Sequence, residues 1–231
     1  MSFNKKIIAL IPARGGSKGV VKKNVKLIND KPLIAWSIEQ ALNAKHVTDV
    51  YVSTDDEQIQ TQALKYGAKV PFLRPDFLAT DISTTESVMD HFSLWLLDQK
   101  IEVDALMLLQ PTSPVRAAGR LDQAINFFYK GKFDSILSVS ETHKFFWRKI
   151  SQSKVIASYD FLTRPRRQDI NKAEVNYQET GSIYLSDFNQ YCQIKNRLFG
   201  NIGLFVTPEN ESYEIDTLID FEICETLLKN L

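Results

Sequence analysis

Between Arg14 and Asn24 the chain sets four cations, Arg14, Lys18, Lys22 and Lys23, among Ser17, Asn24 and the glycines Gly15, Gly16 and Gly19. Cationic side chains, a hydroxyl and backbone N–H groups left open by glycine suit a polyphosphate. A solvated basic loop carries the same charges, so the surroundings have to decide. Near the other end, Glu214 and Asp216 stand two residues apart. On a strand they would face one side as paired carboxylates, hard oxygen ligands of the kind Mg²⁺ takes together with phosphates. Asp216 also fits as the N-cap of a final helix. A third candidate is Gln110, held between Leu109 and the prolines Pro111 and Pro114, where a stiff loop would fix an amide able to read polar ligand groups. A proline-stiffened strand-to-helix turn would look the same.

These groups need elements to position them. The cationic loop follows the apolar run Ile7 to Ile11, typical of a strand buried on both faces of a parallel sheet. A helix with Leu33, Trp36, Ile38 and Ala41 inward follows Pro32, then a strand over Val47 to Thr54 and a helix after Asp55-Asp56 that stops at Gly67. Lys69 to Leu73 reads as a short third strand, and Ser83 with Glu86 as a capping box for a helix carrying Val88, Phe92 and Leu96. Ala105 to Leu109 is a central strand, followed by a helix near Ala117 to Tyr129 and a strand near Ser135 to Val139. After an irregular stretch, strands over Gly181 to Leu185 and Ile202 to Val206 and a last amphipathic helix complete the chain. Alternation of this kind predicts an α/β fold: a doubly wound, mostly parallel sheet with ligands at the carboxyl ends of its strands. Residues 1–140 and 177–231 form its core. Residues 141–176 break the pattern and read as an inserted arm, whose aromatics beside arginines mark a protein interface.

The 231 residues, 44% hydrophobic and 24% charged, suffice for one such core and a small appendage. A net charge of zero argues against nucleic acid or an anionic membrane as the main partner. Cys192 and Cys224 match neither a zinc motif nor a disulfide framework, which suits a reducing cytoplasm. The N-terminus has too short an apolar core for a signal peptide, and no run is long enough to span a bilayer. The cationic loop is neither a Walker loop nor a G-x-G-x-x-G fingerprint. His46, His91 and His143 form no catalytic triad pattern.

Ala13-Arg14-Gly15-Gly16-Ser17-Lys18-Gly19, with Lys22, Lys23 and Asn24, resembles the nucleotide loop of sugar nucleotidyltransferases, and more narrowly that of the acylneuraminate cytidylyltransferases. Leu108 to Arg116, LLQPTSPVR, is similar to the second signature of that family. The resemblance implies a nucleotide-diphospho-sugar transferase-like fold, CTP and a nonulosonic acid as substrates, Mg²⁺ as cofactor and a homodimer built through the arm. It puts the triphosphate on Ala13, Arg14, Gly15, Ser17, Lys18 and Lys23, and lets Asn24 orient an α-phosphate oxygen or the nucleophile. It sets Arg74, Ser83 and Thr84 beside the pyrimidine and ribose, and Arg74 is the better reader, because a capping hydroxyl already has a structural role. Gln110 would face both nucleotide and sugar, Gln178, Thr180 and Tyr184 would line the sugar pocket, and Asp216 with Glu214 would hold the metal. Arg164, Arg166 and Arg167 are candidates to complete a neighbouring subunit's site. Where the family reads Arg-Pro-Asn-Gly-Ala-Ile-Tyr, this chain has Gln178, Glu179 and Thr180 in the first three places. A cation able to face a sugar acid is gone, so a differently decorated nonulosonate, a legionaminic or pseudaminic acid, stands beside sialic acid as an expected substrate. A cytidylyltransferase for the eight-carbon acid Kdo, and a nucleotide-binding scaffold without chemistry, are the rival readings; the carboxylate pair speaks against the scaffold.

Overall fold

The computed structural model describes residues 4–17, 19–166, 168 and 175–230. In chain order the elements are β1 (Ile7–Pro12), β2 (Leu27–Ile28), β3 (Lys31–Pro32), α1 (Leu33–Leu42), β4 (Asp49–Ser53), α2 (Glu57–Lys65), α3 (Thr85–Asp98), β5 (Ala105–Leu109), α4 (Arg120–Gly131), β6 (Ser135–Thr142), β7 (Trp147–Lys149), β8 (Val155–Ala157), β9 (Asn176–Asp187), α5 (Phe188–Ile194), β10 (Ile202–Thr207) and α6 (Leu218–Leu228). Six strands form the main sheet in the order β10-β6-β9-β5-β1-β4. β1 runs parallel to β4 and β5, and β10 parallel to β6; β9 alone is antiparallel to its neighbours. No helix among the described residues is long and apolar enough to cross a membrane.

Strand alternation divides the core in two. Ile7, Ala9 and Ile11 of β1 pack with Ile34 and Ile38 of α1, Ile59 and Ala63 of α2, and Leu121, Ile125 and Phe128 of α4. Ile8 and Leu10 face the other way, onto Met89, Phe92 and Leu96 of α3 and Tyr191 of α5. Both faces of the sheet are therefore covered, which is why β1 and β5 are apolar at every position rather than at alternate ones.

A third, smaller core positions the loops. Val20 from the glycine-rich loop, Val115 from the loop after β5, and Ile215 from the stretch before α6 meet Ile28, Leu33, Phe221, Cys224 and Leu228. Burying each large apolar side chain contributes roughly 1.5–3 kcal/mol. One apolar seat thus draws together three segments far apart in sequence.

Four local expectations need correction. Lys69 to Leu73 forms no strand, only isolated bridges Tyr51↔Lys69 and Thr54↔Leu73; Pro71 between them has no N–H to continue a ladder. Thr84, not Ser83, caps α3, its Oγ1 accepting from the Ser87 N–H at 3.1 Å. Glu86 closes no box with Ser83 and pairs instead with Arg197 at 2.6 Å. Residues 213–217 are irregular chain rather than a strand. Their alternation survives all the same, with Ile215 fully buried and Glu214 and Asp216 exposed on either side.

Between β6 and β9 the chain leaves the sheet. β7 and β8 form a small antiparallel hairpin with Trp147 opposite Ala157. Phe145 packs on Tyr159 with ring centroids 4.1 Å apart, and the Arg164 guanidinium lies 4.8 Å from the Phe145 ring centroid. Phe146, Trp147, Ile150, Phe161 and Leu162 remain exposed. Arg167 lies outside the described residues.

Candidate active site

At the carboxyl ends of β1 and β5 a cleft of about 360 Å³ opens between the glycine-rich loop and the segment leading into α3. Arg14, Ser17, Gly19, Lys23 and Asn24 line one wall; Arg74, Thr80, Asp81, Ser83, Thr84 and Thr85 line the other, with Gln110, Pro111, Thr112 and Asp216 at the end. Most of the residues singled out by spacing therefore converge. Lys18 lies outside the described residues.

The loop is held by its own polar groups. Ala13 is buried and its N–H donates to the Ser53 carbonyl at 2.9 Å, continuing the β1 ladder past Pro12. The Gly15 N–H donates to Asp55 Oδ1 at 3.1 Å, and a β-carbon on Gly15 would stand 2.7 Å from Asp56 Oδ2. The Asn24 amide donates to the Arg14 carbonyl at 3.0 Å, which shapes the loop with one of its two N–H groups while the side chain lines the cleft. Arg14 reaches across the cleft, donating to the Thr80 carbonyl at 3.1 Å and lying 3.0 Å from Asp81. Lys23 turns towards the far end, donating to the Ile215 carbonyl and standing 3.6 Å from Asp216. Lys22 points away, to Gln58 at 3.1 Å.

Arg74 is 4% exposed and donates to Asp55 Oδ1 at 3.2 Å, while its Nε has no protein partner. Burial draws its pKa down and Asp55 opposes the shift. A buried guanidinium with donors to spare, facing a cleft, is set up to meet acceptors on a planar ligand. Asp55 joins Gly15 and Arg74 through one oxygen, a role that spacing did not disclose; its place just beyond β4 was the available signal. The hydroxyls of the opposite wall are already engaged. Ser83 Oγ donates to the Phe77 carbonyl at 3.0 Å, and Thr84 caps its helix.

Neither Glu214 nor Asp216 is used to cap α6, because Thr217 and Asp220 form the reciprocal capping box. The Asp216 side chain is 76% exposed. Thr112 Oγ1 donates to Glu214 at 3.0 Å, and the Ile215 N–H donates to the Thr112 carbonyl at 2.7 Å. Crowding by the surrounding protein raises the Glu214 pKa, and the Asp216 charge adds to the rise. Two mutually repelling carboxylates beside a cationic loop have the donor set and the electrostatic need for a hard divalent ion shared with phosphates. Among the described residues no group of three or more His, Cys, Asp or Glu side chains forms a closed metal cage.

Asp216 also lines a second cavity of about 360 Å³, with Glu141, Lys144, Gln178, Glu179, Glu209, Glu214 and Asp220 among its walls. Gln178 is exposed there, as its candidate role requires. Tyr184 is a correction, whereas Thr180 lines this cavity with its hydroxyl already engaged. Thr180 is 2% exposed and its hydroxyl bonds Ser138 Oγ at 2.7 Å and the Ser138 carbonyl at 3.1 Å. Tyr184 packs its ring in the core beneath α3 and α5, and its hydroxyl donates to Glu179. Opposite Leu137 and Val139 stand Tyr184 and Glu179, so four residues of β9 face one of β6, while Tyr184 itself keeps regular register with Leu108 and Leu137 and is buried because helices cover that face of the sheet.

The family model for "Cytidylyltransferase" matches residues 8–229. The chain is 36% identical to the CMP-N,N'-diacetyllegionaminic acid synthase of Legionella pneumophila, over 97% of each chain. It is 32% identical to the pseudaminic acid cytidylyltransferase of Campylobacter jejuni, again over 97% of each. In fold it resembles a CMP:2-keto-3-deoxy-manno-octonic acid synthetase complexed with CTP, at TM-score 0.71 and 18% identity over 97% of this chain and 99% of that one.

Proposed function

The chain belongs to the cytidylyltransferase family, and from that premise we propose that it joins CTP to a nonulosonic acid of the legionaminic or pseudaminic type, releasing CMP-sugar and pyrophosphate. The observation that carries this reading is Asp216, which lines both cavities and lies beside the cationic loop through Lys23. A residue so placed belongs where two substrates meet.

In the reaction the anomeric hydroxyl of the sugar attacks the α-phosphorus. The new P–O bond forms as the bond to the β-phosphate oxygen breaks, the hydroxyl proton is released and pyrophosphate departs. Charge grows on the phosphoryl oxygens and the leaving group, so the protein's task is positioning and electrostatic stabilisation. Arg14, Ser17, Lys18 and Lys23 hold the triphosphate, and Gly15, whose N–H is tied to Asp55, shapes the loop that presents them. Arg14 exchanges Asp81 for phosphate at little cost, because that ion pair is solvent-screened. Asn24 holds the loop through the Arg14 carbonyl, and Arg74 reads the acceptor edge of cytosine. Asp216 and Glu214 would hold Mg²⁺, which when bound neutralises phosphate charge and acidifies the attacking hydroxyl. The sugar lies in the second cavity against Gln178, with Gln110 of the nucleotide cleft at its border, where carboxylates accept from hydroxyl and acylamino N–H groups.

The exposed aromatics of the arm serve a homodimer interface. The two free thiols and the use of CTP suit the cytoplasm. Pyrophosphate release with CTP, Mg²⁺ and a panel of legionaminic, pseudaminic, sialic and Kdo acids tests the reaction. Turnover with a nonulosonate and formation of its CMP-sugar are expected. Turnover with Kdo alone would select the eight-carbon reading, and CTP binding without any turnover would select a scaffold.

A further inference from the structure

Arg116 lines neither cavity, yet it is bound to the loop that separates them. It is 3% exposed, and its guanidinium donates to four neutral oxygens: Ser37 Oγ at 3.0 Å and Gln40 Oε1 at 2.9 Å on α1, the Gln110 carbonyl at 3.0 Å and the Ser182 carbonyl at 2.8 Å. Among the described residues no carboxylate comes within ion-pair distance of it. Burying an unpaired cation is costly, and an apolar side chain would fill the same space. What its donors hold therefore needs a reason.

Those donors join two backbones at the point where the cavities meet. Gly181 is in the left-handed region, at φ +64°, and a β-carbon on it would stand 2.7 Å from Gln110 Oε1 and 3.2 Å from Glu214 Oε2. Gln110 and Glu214 thus come together over Gly181. The carbonyls that Arg116 grips belong to Gln110 itself and to the residue after Gly181. Left alone, two carbonyl oxygens aimed at one point repel each other and the backbones part. Both carbonyls accept from Nη2, while Nη1 reaches Ser37 and Gln40, so the rigid fork ties the two carbonyls to α1, a four-point geometry that a single ammonium with three donors cannot supply. Gln40 in turn steadies the same loop, its Nε2 donating to the Pro114 carbonyl at 2.8 Å.

We infer that Arg116 is a positioning residue for the transfer reaction: by clamping the Gln110 carbonyl to the Ser182 carbonyl it sets the spacing between the nucleotide cavity and the sugar cavity. This rests on the proposed reaction only for which substrate lies on each side.

The test compares Arg116→Lys and Gln40→Leu with the unaltered protein. Pyrophosphate release gives kcat and both KM values, calorimetry gives CTP affinity without sugar, and hydrogen exchange reads residues 110–116 and 180–185. Misplacing reacting groups by about 1 Å costs roughly 100-fold in rate, so Arg116→Lys should lower kcat about 10- to 100-fold. CTP affinity should hold within about threefold, because the clamp does not touch the triphosphate loop. Exchange should quicken in the two clamped segments and nowhere else, and Gln40→Leu should shift kcat and exchange the same way to a smaller degree. A folded Arg116→Lys protein with unchanged kcat overturns the inference, as does a loss that only tracks the fraction folded. If Arg116→Lys does not fold, unchanged kcat and exchange in Gln40→Leu overturn it. An inactive unaltered protein strikes the reaction instead, and the exchange pattern then still decides the clamp.

Discussion

Gly19 approaches Asp216 so closely that a β-carbon on it would stand 2.0 Å from the Asp216 carbonyl oxygen. The glycine-rich loop and the carboxylate stretch, almost 200 residues apart in the chain, are thus in backbone contact at the mouth of the cleft. Gly19→Ala has to push one of them away. We expect CTP affinity, measured by calorimetry, to fall about tenfold, the scale of an overpacking penalty of about 1–3 kcal/mol. Unchanged affinity would show that the contact does not shape the nucleotide cavity.

Asp216→Asn should abolish most of the Mg²⁺ response of turnover and of CTP-dependent thermal stabilisation. Because Thr217 and Asp220 cap α6, the melting temperature of the free protein should change by no more than about 2 °C. Normal activity at limiting Mg²⁺ would remove Asp216 from the metal role.

Glu214 provides a pH test. Its carboxyl keeps its proton to higher pH in the folded chain than in the unfolded one, because the surrounding protein strips water from it and the Asp216 charge adds to the rise, against the opposing hydrogen bond from Thr112. Stability from that retained proton is fully present below the unfolded pKa, about 4.3, and is lost as pH rises through the higher folded value. Glu214→Gln should therefore melt higher than the unaltered protein near neutral pH, with the gap closing as pH falls towards 4. Thermal melts across that range check it; a gap that does not change with pH would refute the assignment.

Arg74→Lys keeps the charge and loses the fork. A guanidinium donates to the two acceptors on the cytosine edge, whereas uracil offers an N–H at one of those places. Discrimination between CTP and UTP, measured as a ratio of kcat/KM, should fall about 10- to 100-fold, the range for losing a bidentate base contact. An unaltered ratio would move base selection elsewhere.

Glu211 is a stability site outside both cavities. Its carboxylate is buried and takes two donors from Arg120, one of them at 2.8 Å. Glu211→Gln leaves that arginine without its counter-charge, at a cost of about 3–5 kcal/mol. The melting temperature should drop by roughly 10 °C while kcat at low temperature is retained. A drop in kcat without one in melting temperature would reverse the assignment.

Short-range pattern in the chain is enough to specify the buried strands and the loops that end them. Apolar runs at Ile7 to Ile11 and Ala105 to Leu109 require buried strands, and the loops after them, with Arg14, Lys23 and Gln110, fall at the strand ends where ligands bind. Two motifs were enough to name the family. Tertiary structure alone decided which way side chains face and what they meet. Tyr184 faces the core because helices cover both sides of the sheet, Pro71 ended a strand before it began, and Thr84 rather than Ser83 took the cap. Asp55 beneath Arg74 and the Arg116 grip on Gln110 and Ser182 join residues from separate elements. Periodicity records the face a residue takes within its own element. A hydrogen bond or buried charge is set by how distant elements pack, and that is settled only when the sheet, its bulge and the small core around Val20, Val115 and Ile215 are assembled together.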